Sequence, residues 1–189
     1  AAALVLLLVP PVRRFAWWTG YLDHPEARKL HTHATPLLGG LCVALGAGIT
    51  TVVLVRLLAV PVPAPAWWWA AGALAALLLG LIDDRFGMHP LPKLFLQIAV
   101  AGVFLCGGVY PSGGLGPWVG IPLSLFWIVA MMNAVNFLDN MDGIIGGITA
   151  ILAIGLGVLH LWWGNGLEAI FAFALAGAAL GFLRFNFTP

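Results

Sequence analysis

The residues best suited to chemistry are two adjacent carboxylates, Asp83 and Asp84, in the segment GLIDDRFGMHPLPKLFLQ from Gly80 to Gln97. They close an apolar run, where burying a carboxylate costs several kcal/mol unless a cation or water compensates. Such a pair can hold Mg²⁺, a hard cation that takes oxygen ligands and is commonly shared with substrate phosphates. One of the two could instead act as a base. The plain structural alternative is a solvated helix terminus with Arg85 as ion-pair partner. Lys93, further along the segment, suits a phosphate or a snorkelling anchor.

A second polar segment is NAVNFLDNMDGIIGG, Asn133 to Gly147. At about 100° per residue, Asn133, Asn136 and Asn140 share one helical stripe with Asp139 beside it, and Asp142 and Gly143 close the turn. Simple interhelical hydrogen bonding accounts for one Asn, but hardly for this many amides and carboxylates with a glycine turn. A third segment, DHPEARKLHTHATPLLGG, runs from Asp23 to Gly40. Arg28 and Lys29 could bind phosphate with His31 close by, although topology alone favours a cationic loop beneath a bilayer. His31 and His33 form only a weak metal pattern without further ligands. Together the carboxylates, amides and cations suit a phosphorylated, metal-bound, water-soluble substrate meeting a lipid.

The elements that must position these residues are apolar helices. The chain of 189 residues is 62% hydrophobic and only 8% charged, far from the quarter or so of charged residues in soluble domains. Continuous apolar runs favour helices over a barrel. They fall at Ala1–Val12, Pro36–Leu58, Ala66–Ile82, Leu94–Val109, Ile121–Leu138, Gly143–Trp163 and Glu168–Leu183. The expectation is an all-α polytopic transmembrane bundle of about seven helices. Ala1–Val12 is short, and Arg13 and Arg14 follow it where a secretory signal would carry its charges first, so it reads as the remainder of a first helix.

Alternating crossings place Arg13, Arg14, Arg28, Lys29, Arg85, Lys93 and Arg184, with Asp23, Glu26, Asp83, Asp84, Asp139 and Asp142, on one side. Only Arg56 and Glu168 fall on the other. The positive-inside rule makes the charged side cytoplasmic. A net charge of +1, with bases and acids interleaved, excludes a nucleic-acid partner. Cys42 and Cys106 lie within apolar runs and make no disulfide framework. Tryptophans near helix ends, such as Trp17, Trp18, Trp67 and Trp163, suit interface anchors. Gly143/Gly147 and Gly177/Gly181 have the spacing of close helix packing, either within the chain or along a homodimer seam.

The three polar segments, as D-x-P-x-x-R-K-x-H followed by TPLLGG, GLIDD followed by Lys93 and Gln97, and NAVNFLDNMDG, resemble the polyprenyl-phosphate N-acetylhexosamine-1-phosphate transferases. The resemblance covers nearly the whole chain, and the basic first motif is similar to the bacterial branch that starts lipid-linked glycans. It implies transfer from a UDP-N-acetylhexosamine to undecaprenyl phosphate, releasing UMP, with Mg²⁺ required and Mn²⁺ as the alternative ion. It also implies a bacterial inner-membrane location. Residue by residue, it implies Asp83 and Asp84 as the catalytic pair, with Asp84 near the metal. Lys93, Asn133, Asn136, Asp139 and Asp142, and less directly Arg28, Lys29 and His31, would bind substrate. GFLRFNFTP resembles the start of the family's next cytoplasmic segment. Residues 1–189 are therefore expected to be one transmembrane catalytic domain that is incomplete at both ends. Rival readings are a CDP-alcohol phosphatidyltransferase, whose pattern Asp142 and Gly143 begin but IIGG does not continue, and a transporter. A transporter would place ionisable residues near midmembrane.

Overall fold

The computed structural model describes residues 1–23, 35–111, 116–139 and 142–187. Seven helices follow one another: α1 (Ala2–Thr19), α2 (Gly39–Leu57), α3 (Ala66–Phe86), α4 (Pro90–Cys106), α5 (Gly116–Leu138), α6 (Ile144–Trp162) and α7 (Gly166–Asn186). Two short strands, β1 (Leu22–Asp23) and β2 (Thr35–Pro36), lie between α1 and α2. Among the described residues α2, α3, α5, α6 and α7 are long and apolar enough to cross a membrane, and α4 is a shorter apolar helix. The protein is a multi-pass, all-α membrane protein.

Several helices run further than the apolar pattern suggests: α3 passes Ile82 to end at Phe86, α5 starts at Gly116, and α7 runs from Gly166 to Asn186. α1 continues past Val12 through Arg13 and Arg14 and ends at Gly20, which is left-handed at φ 67° and donates its N–H to the Ala16 carbonyl. The apolar run stops where interfacial side chains begin, but the backbone ladder needs no apolar side chain. α4 begins at Pro90, ahead of the expected Leu94. Proline is tolerated at the first helical position because its missing N–H would have no intrahelical partner there. His89 caps this start, its Nδ1 accepting from the Leu91 N–H at 3.5 Å.

Contacts divide the chain into two compact units, Ala1–Val62 with Leu138–Pro189, and Pro63–Phe137. The first unit joins α1, α2, α6 and α7 around small residues. Its core holds Val5, Val9, Cys42, Ala47 and Ala178. α7 buries alanine along its length, including Ala169, Ala172, Ala176 and Ala179. Glycine sets the closest approaches. A Cβ added at Gly181 would lie 2.8 Å from the Ala2 carbonyl oxygen and 2.9 Å from its Cα, so α1 and α7 meet almost backbone to backbone. Gly177 likewise faces Ala1, whereas Gly147 has open space around its Cα. Gly177 and Gly181 thus pack within the chain. α6 and α7 meet through Gly157 against Phe173 and Gly146 against Leu183. Such small-residue contacts gain dispersion energy where lipid gives helices no hydrophobic reason to associate.

In the second unit, α3 and α4 pack as a hairpin. Gly72 faces the Phe104 ring, and the Trp69 indole N–H donates to the Gly107 carbonyl at 2.9 Å. α5 is held differently: its backbone makes few close approaches to the other helices, and polar side chains tie it to α4.

Candidate active site

α3 ends at the carboxylates. Asp83 and Asp84 sit in its last turn, about 100° apart around the axis, so they serve different directions. Gly87, left-handed at φ 59°, ends the helix by donating its N–H to the Asp83 carbonyl. The chain needs only Gly87, Met88 and His89 to turn into α4. This turn returns the first residues of α4 to the end of α3 and places Lys93 beside Asp83.

The Lys93 ammonium donates to Asp83 Oδ2 at 2.7 Å and to Asn136 Oδ1 at 2.9 Å. Asp83 Oδ1 accepts the Met88 N–H at 3.2 Å. Both carboxylate oxygens are therefore engaged. The pair is largely shielded, with side-chain exposures of 19% for Lys93 and 17% for Asp83. Asp84 is exposed. Three helices thus contribute one residue each to a single cluster: Asp83 from α3, Lys93 from α4 and Asn136 from α5.

One turn deeper lies a second polar pair. Gln97 Nε2 donates to Asn133 Oδ1 at 3.3 Å, and Asn133 Nδ2 donates to Gln97 Oε1 at 2.8 Å and to the Val129 carbonyl of its own helix at 2.8 Å. Gln97 is only 2% exposed. Sequence reasoning placed Asn133 among the substrate ligands and noted Gln97 only as part of a motif. The signal that joins them is spacing. Lys93 and Gln97 are four apart, Asn136 and Asn133 three apart, and antiparallel helices match the two intervals rung by rung.

The other expected ligands belong to the first unit. Asp139 is exposed in the turn that follows α5, and desolvation by the atoms crowded around it pushes its carboxyl above the ordinary range. Asp142 is exposed just before α6, where a negative charge complements the helix N-terminus. Gly143 follows at φ 76° with the Phe187 ring against its Cα, so a side chain there would be strained and would have to displace the ring. Arg28, Lys29 and His31 lie outside the described residues, as does Asn140. The pairing of β1 with β2, Leu22 opposite Pro36 and Asp23 opposite Thr35, ties together the two ends of the segment that carries the first three.

Among the described residues no group of three His, Cys, Asp or Glu gathers as a metal centre. Mg²⁺ commonly takes one or two carboxylates beside substrate phosphates and water, so the donor chemistry of the Asp83–Asp84 end is compatible with it. A cleft of about 310 Å³ in the first unit is lined by Val9, Pro10, Arg13, Arg14, Trp17 and Phe185. It contains no carboxylate. Ionisable groups drawn together from separate helices mark a candidate site, and here they form the Asp83 cluster.

Comparison with known proteins bears on what this cluster does. The model of the family described as Glycosyl transferase family 4 matches residues 66–189. The "Probable undecaprenyl-phosphate N-acetylglucosaminyl 1-phosphate transferase" of Bacillus subtilis (strain 168) is 30% identical, covering 98% of this chain and 53% of that protein. The decaprenyl-phosphate N-acetylglucosaminephosphotransferase of Mycobacterium tuberculosis (strain ATCC 25618 / H37Rv) is 34% identical, covering 99% of this chain and 52% of that protein. A phospho-N-acetylmuramoyl-pentapeptide-transferase of Synechococcus sp. (strain JA-2-3B'a(2-13)) is 35% identical over 98% of this chain and 58% of its own. The chain spans about half the length of the first two relatives. No solved structure matches it.

Proposed function

Since the chain belongs to glycosyl transferase family 4, we propose that the protein transfers an N-acetylhexosamine 1-phosphate, GlcNAc 1-phosphate in the first instance, from a UDP-sugar to undecaprenyl phosphate. The reaction takes place on the cytoplasmic face of a bacterial inner membrane, releases UMP and starts a lipid-linked glycan. The observation that carries this reading is the meeting of Asp83, Lys93 and Asn136 from three apolar helices in one hydrogen-bonded cluster.

In this reading an oxygen of the lipid phosphate attacks the β-phosphorus of the UDP-sugar, and the bond to UMP breaks. Catalysis then rests on positioning and on charge stabilisation more than on covalent chemistry by the protein. An ammonium carries three donors. Asp83 and Asn136 take two from Lys93, and the third suits a phosphate oxygen. Asp83, fixed by Lys93 and the Met88 N–H, orients or deprotonates the attacking lipid phosphate. Asp84, exposed and on another face of α3, is the proposed ligand for Mg²⁺, or Mn²⁺ in its place. An ion held there would compensate the negative charge that moves onto UMP. Roles for Arg28, Lys29, His31, Asp139 and Asp142 rest on their motifs alone.

The test uses membranes containing the full product of the gene, supplied with undecaprenyl phosphate, Mg²⁺ and UDP-GlcNAc. UMP release that depends on the lipid is expected, and Asp83→Asn should lower it by about 10²-fold or more. Lipid-dependent UMP release only with UDP-MurNAc-pentapeptide would move the protein to the other branch of its relatives. Release with neither donor would defeat the transferase reading.

A further inference from the structure

We propose that Gln97 is a positioning residue: by clasping Asn133 it sets the register of α5 on α4, and thereby holds Asn136 where it shares the Lys93 ammonium with Asp83. The proposal rests on reading the Asp83 cluster as part of the transferase site and adds a residue that touches no reacting atom.

Four observations carry it. Gln97 is a polar side chain almost fully buried on a mostly apolar helix, a placement tolerated only when its amide is bonded. The bond it makes is reciprocal, each amide acting as both donor and acceptor, which fixes direction as well as distance. Both N–H groups of Asn133 are committed, one to Gln97 and one to the Val129 carbonyl, so its side chain cannot turn without losing bonds. Finally, the α4 and α5 backbones approach sparsely, and the two polar rungs are side-chain hydrogen bonds that join these helices directly.

The outer rung depends on the inner one by geometry. Asn136 lies one turn from Asn133 on α5, and Lys93 one turn from Gln97 on α4. A slip of α5 by an ångström or two would take Asn136 Oδ1 beyond hydrogen-bond reach of Lys93, which then answers to Asp83 alone. Apolar packing at position 97 could hold the helices close, but it carries no directional preference of this kind. Catalysis is sensitive to such displacements even when substrate binding is not.

The experiment measures UMP release by the full product of the gene in membranes, with Gln97→Leu, Asn133→Leu, the double variant, Gln97→Asn, and the exchange Gln97→Asn with Asn133→Gln. Folded protein is quantified for each in detergent. Wild-type turnover comes first: its absence with UDP-GlcNAc and UDP-MurNAc-pentapeptide alike would remove the functional reading and this inference with it. Given turnover, Gln97→Leu should lower kcat by about 10- to 100-fold per folded molecule, with KM for the UDP-sugar changed less than about 2-fold. The double variant should be no worse than the more damaging single one, as for two residues acting as a unit. The exchange should recover most of the activity that Gln97→Asn loses, because it restores the summed length of the two amides. Wild-type kcat in Gln97→Leu would overturn the proposal. So would losses that multiply in the double variant, or an exchange no better than Gln97→Asn. Should Gln97→Leu fail to fold, the comparison of Gln97→Asn with the exchange decides the question.

Discussion

In the unit of α1, α2, α6 and α7, helices close on one another over glycine and alanine. In the unit of α3, α4 and α5, an ammonium and three amide side chains tie α5 to its neighbours. The first arrangement gains many small dispersion contacts and specifies no direction, so it suits a scaffold. The second relies on a few bonds, each sharp in distance and angle, and it coincides with the ionisable cluster. Strength by area and precision by direction are thus assigned to different regions. Mutations in the two should fail in different ways.

The largest effect is expected from Lys93→Met, which removes the cation shared by Asp83 and Asn136 while keeping an unbranched apolar stem. UMP release should fall by about 10²-fold or more, in the range found when a charge-stabilising donor is removed from an active site. The melting temperature should fall only modestly: the shielded Asp83 loses its cation, but α3 and α4 remain joined at Gly72 and Gly107. A large loss of folded protein with undiminished kcat would reverse the contrast between the units. Gly181→Leu should do the opposite: a side chain forced against the Ala2 backbone costs about 1–3 kcal/mol of stability, read as a lower melting temperature, while kcat per folded molecule stays near wild type. Loss of kcat without loss of stability would show that the α1–α7 seam does more than support.

The smallest effect concerns Asp139, whose carboxyl is raised by desolvation. A raised carboxyl favours the protonated form in the folded state, so its stability contribution is best at acid pH. That contribution is lost as pH rises from the ordinary carboxylate range through the raised value. Asp139→Asn should therefore melt slightly higher than wild type at neutral pH and converge with it as pH falls. A gap that widens in acid would contradict the assigned cause.

The helices and the polar stripe could be read from residue types, because the apolar runs predict every helix and the spacing of Asn133 and Asn136 predicts a shared face; the division into two units could not. What escaped the reading depends on tertiary register. The apolar run begins at Leu94, yet α4 opens at Pro90, and that places Lys93 on the helix and not in the loop before it. Arg13 and Arg14 end an apolar run without ending a helix. The reciprocal bond of Gln97 with Asn133 joins residues 36 positions apart, and no local pattern selects that partner. The intervals of four and three were visible in the chain, but only the antiparallel return of α5 gives them a common meaning.

The three residues between α3 and α4 have a consequence that can be put in terms of phase. A helix carries its side chains around the axis by about 100° per residue. The length of the Gly87–Met88–His89 turn therefore determines the angle at which α4 presents itself. Lys93 and Gln97 lie on one stripe and rotate together, so one added or deleted residue in the turn would swing both rungs away from α5 at once. What this short turn transmits is number: its residue count behaves like the setting of a dial whose two marks are Lys93 and Gln97.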